Sequence, residues 1–550
     1  MYKQSEQPKH RKHTCTIIVR ANTEAEGTMD TQQPLLPLVV VPLLVVLPLL
    51  YLLLSWRRKK GAADDGRRAP PPGPPEQLPV LGNLLQIGSR PHRYFHAVAR
   101  RYGPVVEVRL GRVRTVVVSS PEAAKDLLRT NDQHCCSRPN SPGPRVLSYD
   151  FLDVAFSPYS DYWREMRKLF ILELLSMRRV QSFAYARAAE VDRLVASLAA
   201  AAGSSSSPHH PGAPVVDLSE KLYALFDGIV GTVAFGKMYG SAQFERSSFQ
   251  RVMEDTLRVL GSFTFEDFFP ASRLARCADA LTGAAARRRR IFRQIDRFFD
   301  SVIDKHLEPE RLQAGVQEDM VDALVKMWRE KDDEAVGLTR AHIKGILLDT
   351  FSGGIDTCSV TMIWIMSELM RNPKVMRKAQ AEVRGLVENK TRVDEEDVKK
   401  LRYLKMVVKE NFRLHPPGTL LIPRETMQRC VIGGYDVLPG TRVFVNVWAM
   451  GRDPSIWDDP EEFRPERFEG SHVDFRGSDF ELLPFGSGRR SCPAVAMGVA
   501  NVELALANLL YCFDWELPQG MMEEDIDMEE TGQLVFRKMV PLCLVPIKRV

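Results

Sequence analysis

Hydrophobic and polar positions set three regimes along the chain. Residues 34–55, "PLLPLVVVPLLVVLPLLYLLLS", are mostly apolar and carry no charge. Such a stretch can cross a hydrocarbon core of about 30 Å at about 1.5 Å per residue. Prolines 34, 37, 42 and 48 would bend a soluble helix, but a membrane span tolerates them. A cleaved signal peptide has a shorter apolar region and an A-x-A site, which is missing here. The stretch therefore reads as an uncleaved anchor. Proline then dominates residues 69–84, "APPPGPPEQLPVLGNL", predicting a semi-rigid polyproline II spacer. From about residue 91 apolar residues recur mainly at helical spacing.

Within this body, "VVEVRLGRVRTVVVSS" at 105–120 is rich in β-branched residues, with Gly111 near its middle. It predicts a strand pair. Residues 199–214 are of low complexity and read as a surface loop, and the arginine run at 287–290 lies in a helical pattern that ends near His306. That run predicts a solvated helix face or contact with an acidic partner. The longest apolar helical pattern covers residues 342–373, about 45 Å of helix and so buried along much of its length. Gly353 and Gly354 interrupt it at a cost of about 1 kcal/mol each relative to alanine, so something must approach the backbone there. Thr357 stands four residues after Gly353, where its hydroxyl can bond that carbonyl and open the helix. The expected fold is mainly α with small β-sheets.

Composition narrows the function. The chain has 550 residues, 44% hydrophobic and 26% charged, with a formal net charge of +5. These are globular values. So small a charge, without a recognition motif, predicts no nucleic-acid partner. Nine cysteines without CxxC pairs argue for a reducing compartment and against a disulfide framework. Cys135 and Cys136 are adjacent, which suits either redox chemistry or plain burial. Basic residues 57–60 follow the apolar span and place the bulk of the protein on the cytosolic side. Residues 1–33 carry five basic side chains of their own. A start at Met29 would make the orientation unambiguous, so the first 28 residues read as a dispensable extension.

Four spaced motifs carry chemistry. In "PFGSGRRSCPAVAMG" at 484–498, Gly486 and Gly488 permit tight turns, and Cys492 stands just ahead of an apolar helix. A helix N-terminus and Arg490 both favour a thiolate there. By itself this suits a nucleophile, a metal ligand or an inert cysteine. "KENFRLHPP" sets Glu410 and Arg413 three residues apart on one helix face. "FRPERF" adds Arg467, so a buried ion network or a surface salt bridge is possible. "YWREMRK" places Trp163 and Arg167 one turn apart, suited to a carboxylate-bearing cofactor or to ordinary packing.

Together these motifs resemble the cytochrome P450 superfamily of haem-thiolate monooxygenases. Phe485, Gly488, Arg490 and Cys492 match its F-x-x-G-x-R-x-C loop, Glu410 and Arg413 its E-x-x-R helix, and Pro465–Phe468 its P-E-R-F stretch. Gly353, Gly354, Asp356 and Thr357 match its oxygen-activating motif. The resemblance implies haem b with Cys492 as the axial ligand of the metal. It also implies that Arg490, Trp163, Arg167 and Arg424 hold the propionates, and that Asp356 and Thr357 relay protons. Glu410, Arg413 and Arg467 would be structural. NADPH and flavins would act only through an NADPH–cytochrome reductase. Ala494 departs from the usual glycine, and Cys358 from the usual serine or threonine.

The implied organisation is an N-terminal extension at 1–33, a transmembrane anchor at 34–56, a basic and proline-rich hinge at 57–90 and a catalytic domain at 91–550. The catalytic domain would face the cytosol from the endoplasmic reticulum membrane and contact its lipid. Residues 135–150 and 173–187 resemble aldoxime-oxidising members of the plant microsomal A-type group. The expected substrate is a small, largely apolar plant metabolite such as an aromatic aldoxime. It would be held by the 140–155 loop, residues 351–355 and residues 419–422. The alternatives are a terpenoid or phenolic hydroxylase, a haem-thiolate isomerase or dehydratase, and a non-catalytic haem- or ligand-binding membrane protein.

Overall fold

The computed structural model describes residues 68–75, 78–203, 214–240, 246–309, 311, 318–330, 337–387 and 390–549. The extension, the predicted anchor, the first part of the hinge and most of the low-complexity loop lie outside the described residues. The described residues all belong to one folded unit, Asp65–Val550.

The predicted strand pair forms as β1 (Val105–Leu110) and β2 (Val113–Val118), antiparallel, with Val105 opposite Val118. Gly111 at φ +63° makes the turn. Two later strands complete this sheet: β3 (Arg424–Glu425) and, further along, Arg442–Val445. The latter runs parallel to β2 and antiparallel to β3. Its pairing brings Arg424 beside the core of the sheet. The described start of the proline-rich stretch is docked rather than spanning free: the Glu107 amide of β1 donates to Pro72 O at 2.8 Å, and the Asp436 amide, in a separate two-stranded sheet, donates to Ala69 O at 3.0 Å. A Cβ on Gly73 would lie 2.0 Å from Glu107 O, so only glycine admits that approach.

Helices make up most of the rest. The ones that matter for the site are α1 (Asp132–Cys135), α2 (Asp161–Leu169), α3 (Leu218–Phe235), α4 (Ala284–His306), α5 (Arg340–Gly354), α6 (Asp356–Arg371), α7 (Arg402–Leu414) and α8 (Val495–Cys512). Ser160 caps α2 by accepting the Trp163 amide at 3.2 Å. The long helix predicted at 342–373 is two helices, α5 and α6, separated at Ile355. Every residue of α6 from Cys358 to Met370 is buried, so α6 is a core helix on all sides. Helix α8 is the one described helix long and apolar enough to cross a membrane, but 67% of it is buried inside the unit. Its apolar residues join α3 and α6 in the main core.

The arginine run lies near the start of α4, which ends at His306 as expected. It is not a uniformly solvated face. Arg288 is buried and reaches Asp279, while Arg287 pairs with Asp255. The acids that Arg287 and Arg288 meet are the chain's own, while Arg289 and Arg290 are exposed.

Candidate active site

The loop before α8 is shaped by glycine. Gly486 and Gly488 have φ of +67° and +71°. A Cβ on Gly488 would lie 2.4 Å from Leu128 O, so the loop presses against neighbouring backbone. The Cys492 amide closes the turn on Phe485 O at 2.9 Å. Phe485 anchors the other end between Phe412 and Phe475, at ring distances of 5.1 and 5.6 Å. Burial pushes the half-exposed Cys492 thiol up, while the Ala494 amide and Arg167 pull it down. These are the two influences, helix N-terminus and basic neighbour, that favour a thiolate. Ala494 sits at φ −100°, ψ 21°, a conformation open to any residue, so the departure from glycine introduces no strain.

Behind this loop the E-x-x-R residues form the buried network. Arg413 binds Glu410 through two bonds of 2.8 Å, and Arg467 Nε reaches the same carboxylate at 2.9 Å. Both Glu410 and Arg413 side chains are fully buried. Arg413 also donates to the carbonyls of Gly451, Pro460 and Glu462, so its remaining donors are used on loop backbone.

On the other side of the loop lies a second set of arginines. Arg490 donates to the carbonyls of Cys136 (2.7 Å), Val154 (3.2 Å) and Ser157 (2.6 Å) and sits 3.8 Å above the Trp163 ring. Arg167 donates to Ser491 O at 2.6 Å. Arg138, which the sequence reading did not single out, donates to the carbonyls of Ala155, Ile422 and Pro423. None of these three makes an ion pair among the described residues. Burial and the neighbouring arginines lower their basicity: Arg490 is pushed down to about 9, and Arg138 well below its ordinary value. Arg424 differs, because Asp132 accepts from it at 2.7 Å and Ser487 O at 2.7 Å. Trp163 differs too, since its indole N–H donates to Val154 O at 2.9 Å.

The strip 153–157 links this cluster to α5. Asp349 accepts the amides of Val154 and Ala155 at 2.7 and 3.2 Å, and Asp153 accepts the Phe156 amide at 2.7 Å. One oxygen of each carboxyl is buried without a partner. Burial raises both: Asp153 to about 6, opposed by the Phe156 amide, Ser148 and Arg490, and Asp349 well above its ordinary value, where the Asp153 charge adds to the rise. The strip leaves a turn in which Tyr149, Asp150 and Phe151 all have positive φ. Nothing in the sequence pattern marks Asp153 and Asp349 as a pair.

One turn beyond Asp349 the helix opens as expected. Thr357 Oγ1 donates to Gly353 O at 2.7 Å, and the break falls at Ile355. The two glycines have different roles. A Cβ on Gly353 would meet nothing within 4 Å, whereas one on Gly354 would lie 2.8 Å from Val230 of α3. Gly353 borders open space; Gly354 is a packing contact. Asp356 is half-buried beside Tyr223 and Arg537, and desolvation raises its carboxyl. Cys358 is buried, its Sγ 3.9 Å from the Cβ position of Gly498 on α8. Phe351, expected to line the pocket, is instead fully buried against Phe235 and Phe249, each ring at 4.8 Å.

The donor set fits a haem. It offers a thiol at a helix N-terminus, open space at Gly353 on the opened helix, and buried cations without ion-paired carboxylates. Arg138 Nη2 and Arg167 Nη1 have no hydrogen-bond partner among the described residues. Uncompensated buried charge is costly, so a doubly anionic ligand at this cluster would stabilise it.

The sequence profile of the family described as "Cytochrome P450" matches residues 71–543. The chain belongs to the cytochrome P450 family. It is therefore a haem b monooxygenase that receives its electrons from a reductase partner and acts on a small molecule. A 4-hydroxyphenylacetaldehyde oxime monooxygenase of Sorghum bicolor is 56% identical over 476 residues, 86% of this chain and 88% of that one. A 2-methylbutanal oxime monooxygenase of Manihot esculenta is 50% identical over 475 residues, 86% and 90% of the two chains. Among solved structures, a zebra fish cytochrome P450 matches with a TM-score of 0.67 at 24% identity, covering 84% of this chain and 100% of that one. This last likeness shows the P450 fold.

Proposed function

We propose that this P450 oxidises an aromatic aldoxime, with electrons from an NADPH–cytochrome reductase, on the cytosolic face of the endoplasmic reticulum membrane. The observation that carries the substrate is the 56% identity to the sorghum oxime monooxygenase across 86% of the chain. The cassava relative, also an oxime enzyme, supports the same class. Residues 34–56 would be the anchor. Exposed Leu78, Val80, Leu85, Phe263 and Phe265 would rest on lipid, since the loops bearing them bracket the Gly111 turn. The hydrogen bonds there run from Gly111 N to Leu81 O and from Arg112 N to Phe268 O.

In this reading Cys492 would hold the haem iron through its thiolate, and Arg490, Arg167 and Arg138 would meet the propionates. Arg424 and Trp163 support them through Asp132, Ser487 and Val154. The haem supplies oxygen activation. The chain's own residues do the rest. Gly353 leaves room beside the substrate, and the Thr357 hydroxyl offers a proton where the helix has opened. Asp356, held up by burial, resupplies it from the side of Tyr223 and Arg537. The aldoxime would lose water to give a nitrile. One oxygen atom from O2 would then enter a C–H bond to give a hydroxynitrile, the second leaving as water with two electrons and two protons.

The test supplies 4-hydroxyphenylacetaldehyde oxime and NADPH to microsomes holding this protein and reductase, and follows nitrile and hydroxynitrile by mass spectrometry. A haem spin-state shift and both products are expected. Neither shift nor product from thiolate-ligated enzyme would overturn the oxime and leave a P450 with another small substrate.

A further inference from the structure

The adjacent cysteines of "HCCSRP" turn different ways. Cys136 points its thiol to Gln133 O at 3.6 Å, and its carbonyl holds Arg490. Cys135 instead meets a cysteine 295 residues away: its Sγ lies 3.4 Å from Sγ of Cys430. The pair is 0% and 5% exposed and packs in an apolar cluster with Val105, Val116 and Leu127. Backbone bonds keep the two segments side by side. Met427 N donates to His134 O at 2.7 Å and Glu425 N to Ser137 O at 2.9 Å, while the Asn131 side chain reaches Val431 O at 2.9 Å. Two thiols in contact on mutually fixed backbone need only small side-chain rotations to bond.

We propose that Cys135 and Cys430 form a reversible thiol–disulfide site, closed by a peroxide-class oxidant and opened by a dithiol. The peroxide oxidises the slightly more accessible Cys430 thiol to a sulfenic acid, its O–O bond breaking and one water leaving. The Cys135 sulfur attacks that sulfur, the S–S bond forms, the S–O bond breaks and a second water leaves. The two thiols together give up two electrons and two protons to the peroxide. Position gives the bond a consequence. Cys135 ends α1, the helix whose Asp132 pairs with Arg424 and Arg489. The next residue, Cys136, positions Arg490. A Cys135–Cys430 bond would tie the floor of the arginine cluster covalently to the strand at Cys430–Ile432.

The test uses the full-length holoprotein and diamide, whose azo bond accepts the same two electrons and two protons. After oxidation, free thiols are blocked with N-ethylmaleimide under denaturing conditions. Dithiothreitol then releases disulfide-bonded thiols for labelling with iodoacetamide. The expected result is iodoacetamide on Cys135 and Cys430 with maleimide on Cys136, and a linked peptide lighter by two hydrogens. Cys430→Ser should leave Cys135 maleimide-labelled, and the oxidised wild type should release haem several-fold more slowly than the reduced protein. Maleimide on both Cys135 and Cys430 after diamide, or a Cys135–Cys136 bond, would overturn the proposal, as would unchanged haem release in linked protein.

Discussion

Two arginine-rich regions flank the Cys492 loop, and they balance their charge differently. On one side Glu410 answers Arg413 and Arg467 inside a fully buried network, with no donor of Arg413 left toward open space. On the other, Arg138, Arg167 and Arg490 stand together without an ion pair among the described residues, and Arg138 and Arg167 keep unused N–H groups. The first region is complete as folded. The second is complete only with an anion. Internal compensation marks a brace, and its lack marks a binding surface.

The largest effect comes from the residue between them. Cys492→His should abolish the carbon monoxide band of thiolate-ligated haem, while far-UV circular dichroism remains that of the wild type. A normal thiolate band would remove Cys492 as the ligand. Next in size, Glu410→Ala should cost about 3–5 kcal/mol, because two buried guanidinium groups lose their partner. Thermal unfolding should show this loss with or without haem. A loss confined to the haem-loaded protein would break the comparison, since the network would then belong to the binding surface.

Much of this was legible in the sequence, and for an identifiable reason. The Cys492 loop, the E-x-x-R helix and the Thr357 bond to Gly353 are local patterns, set by residues a few positions apart. The strand pair at Val105–Val118 and helix α8 followed from periodicity. What the sequence hid was long-range pairing. Arg138 meets Ile422, Asp349 meets Val154, and Cys135 meets Cys430, each across some 195 to 295 residues. The same limit misplaced Phe351, whose aromatic partners come from two other helices, and left Gly353 and Gly354 undistinguished until α3 was seen against one of them.

Asp153 is the acid next to the uncompensated cluster, and its titration sharpens the contrast. Its folded value of about 6 lies above the ordinary carboxylate value near 4. The folded state therefore favours the protonated form, and stability is lost as pH rises from about 4 to about 6. Two units correspond to about 3 kcal/mol. Asp153→Asn should flatten this decline, since an amide can still accept the Phe156 N–H and can donate to Asp349. Chemical denaturation from pH 4 to 7 checks it. The same slope in the variant would assign the titration to Asp349 instead.

The smallest expected effect is also the most discriminating. Arg138→Met removes a cation from the cluster but leaves Arg167 and Arg490 in place. Hydrogen bonds to charged groups contribute roughly 1.5–3 kcal/mol, so haem retention should fall about 10- to 100-fold. Ala155, Ile422 and Pro423 lose a donor whether or not haem is bound. The folded apoprotein is relieved of one uncompensated buried charge, which offsets part of that loss. The variant should therefore lower the thermal midpoint of the haem-loaded protein more than that of the apoprotein. Arg138→Lys should recover part of the difference, because the charge returns without the planar fork. Equal losses in both forms would make Arg138 a brace like Arg413, and the division between the two regions would no longer hold at that residue.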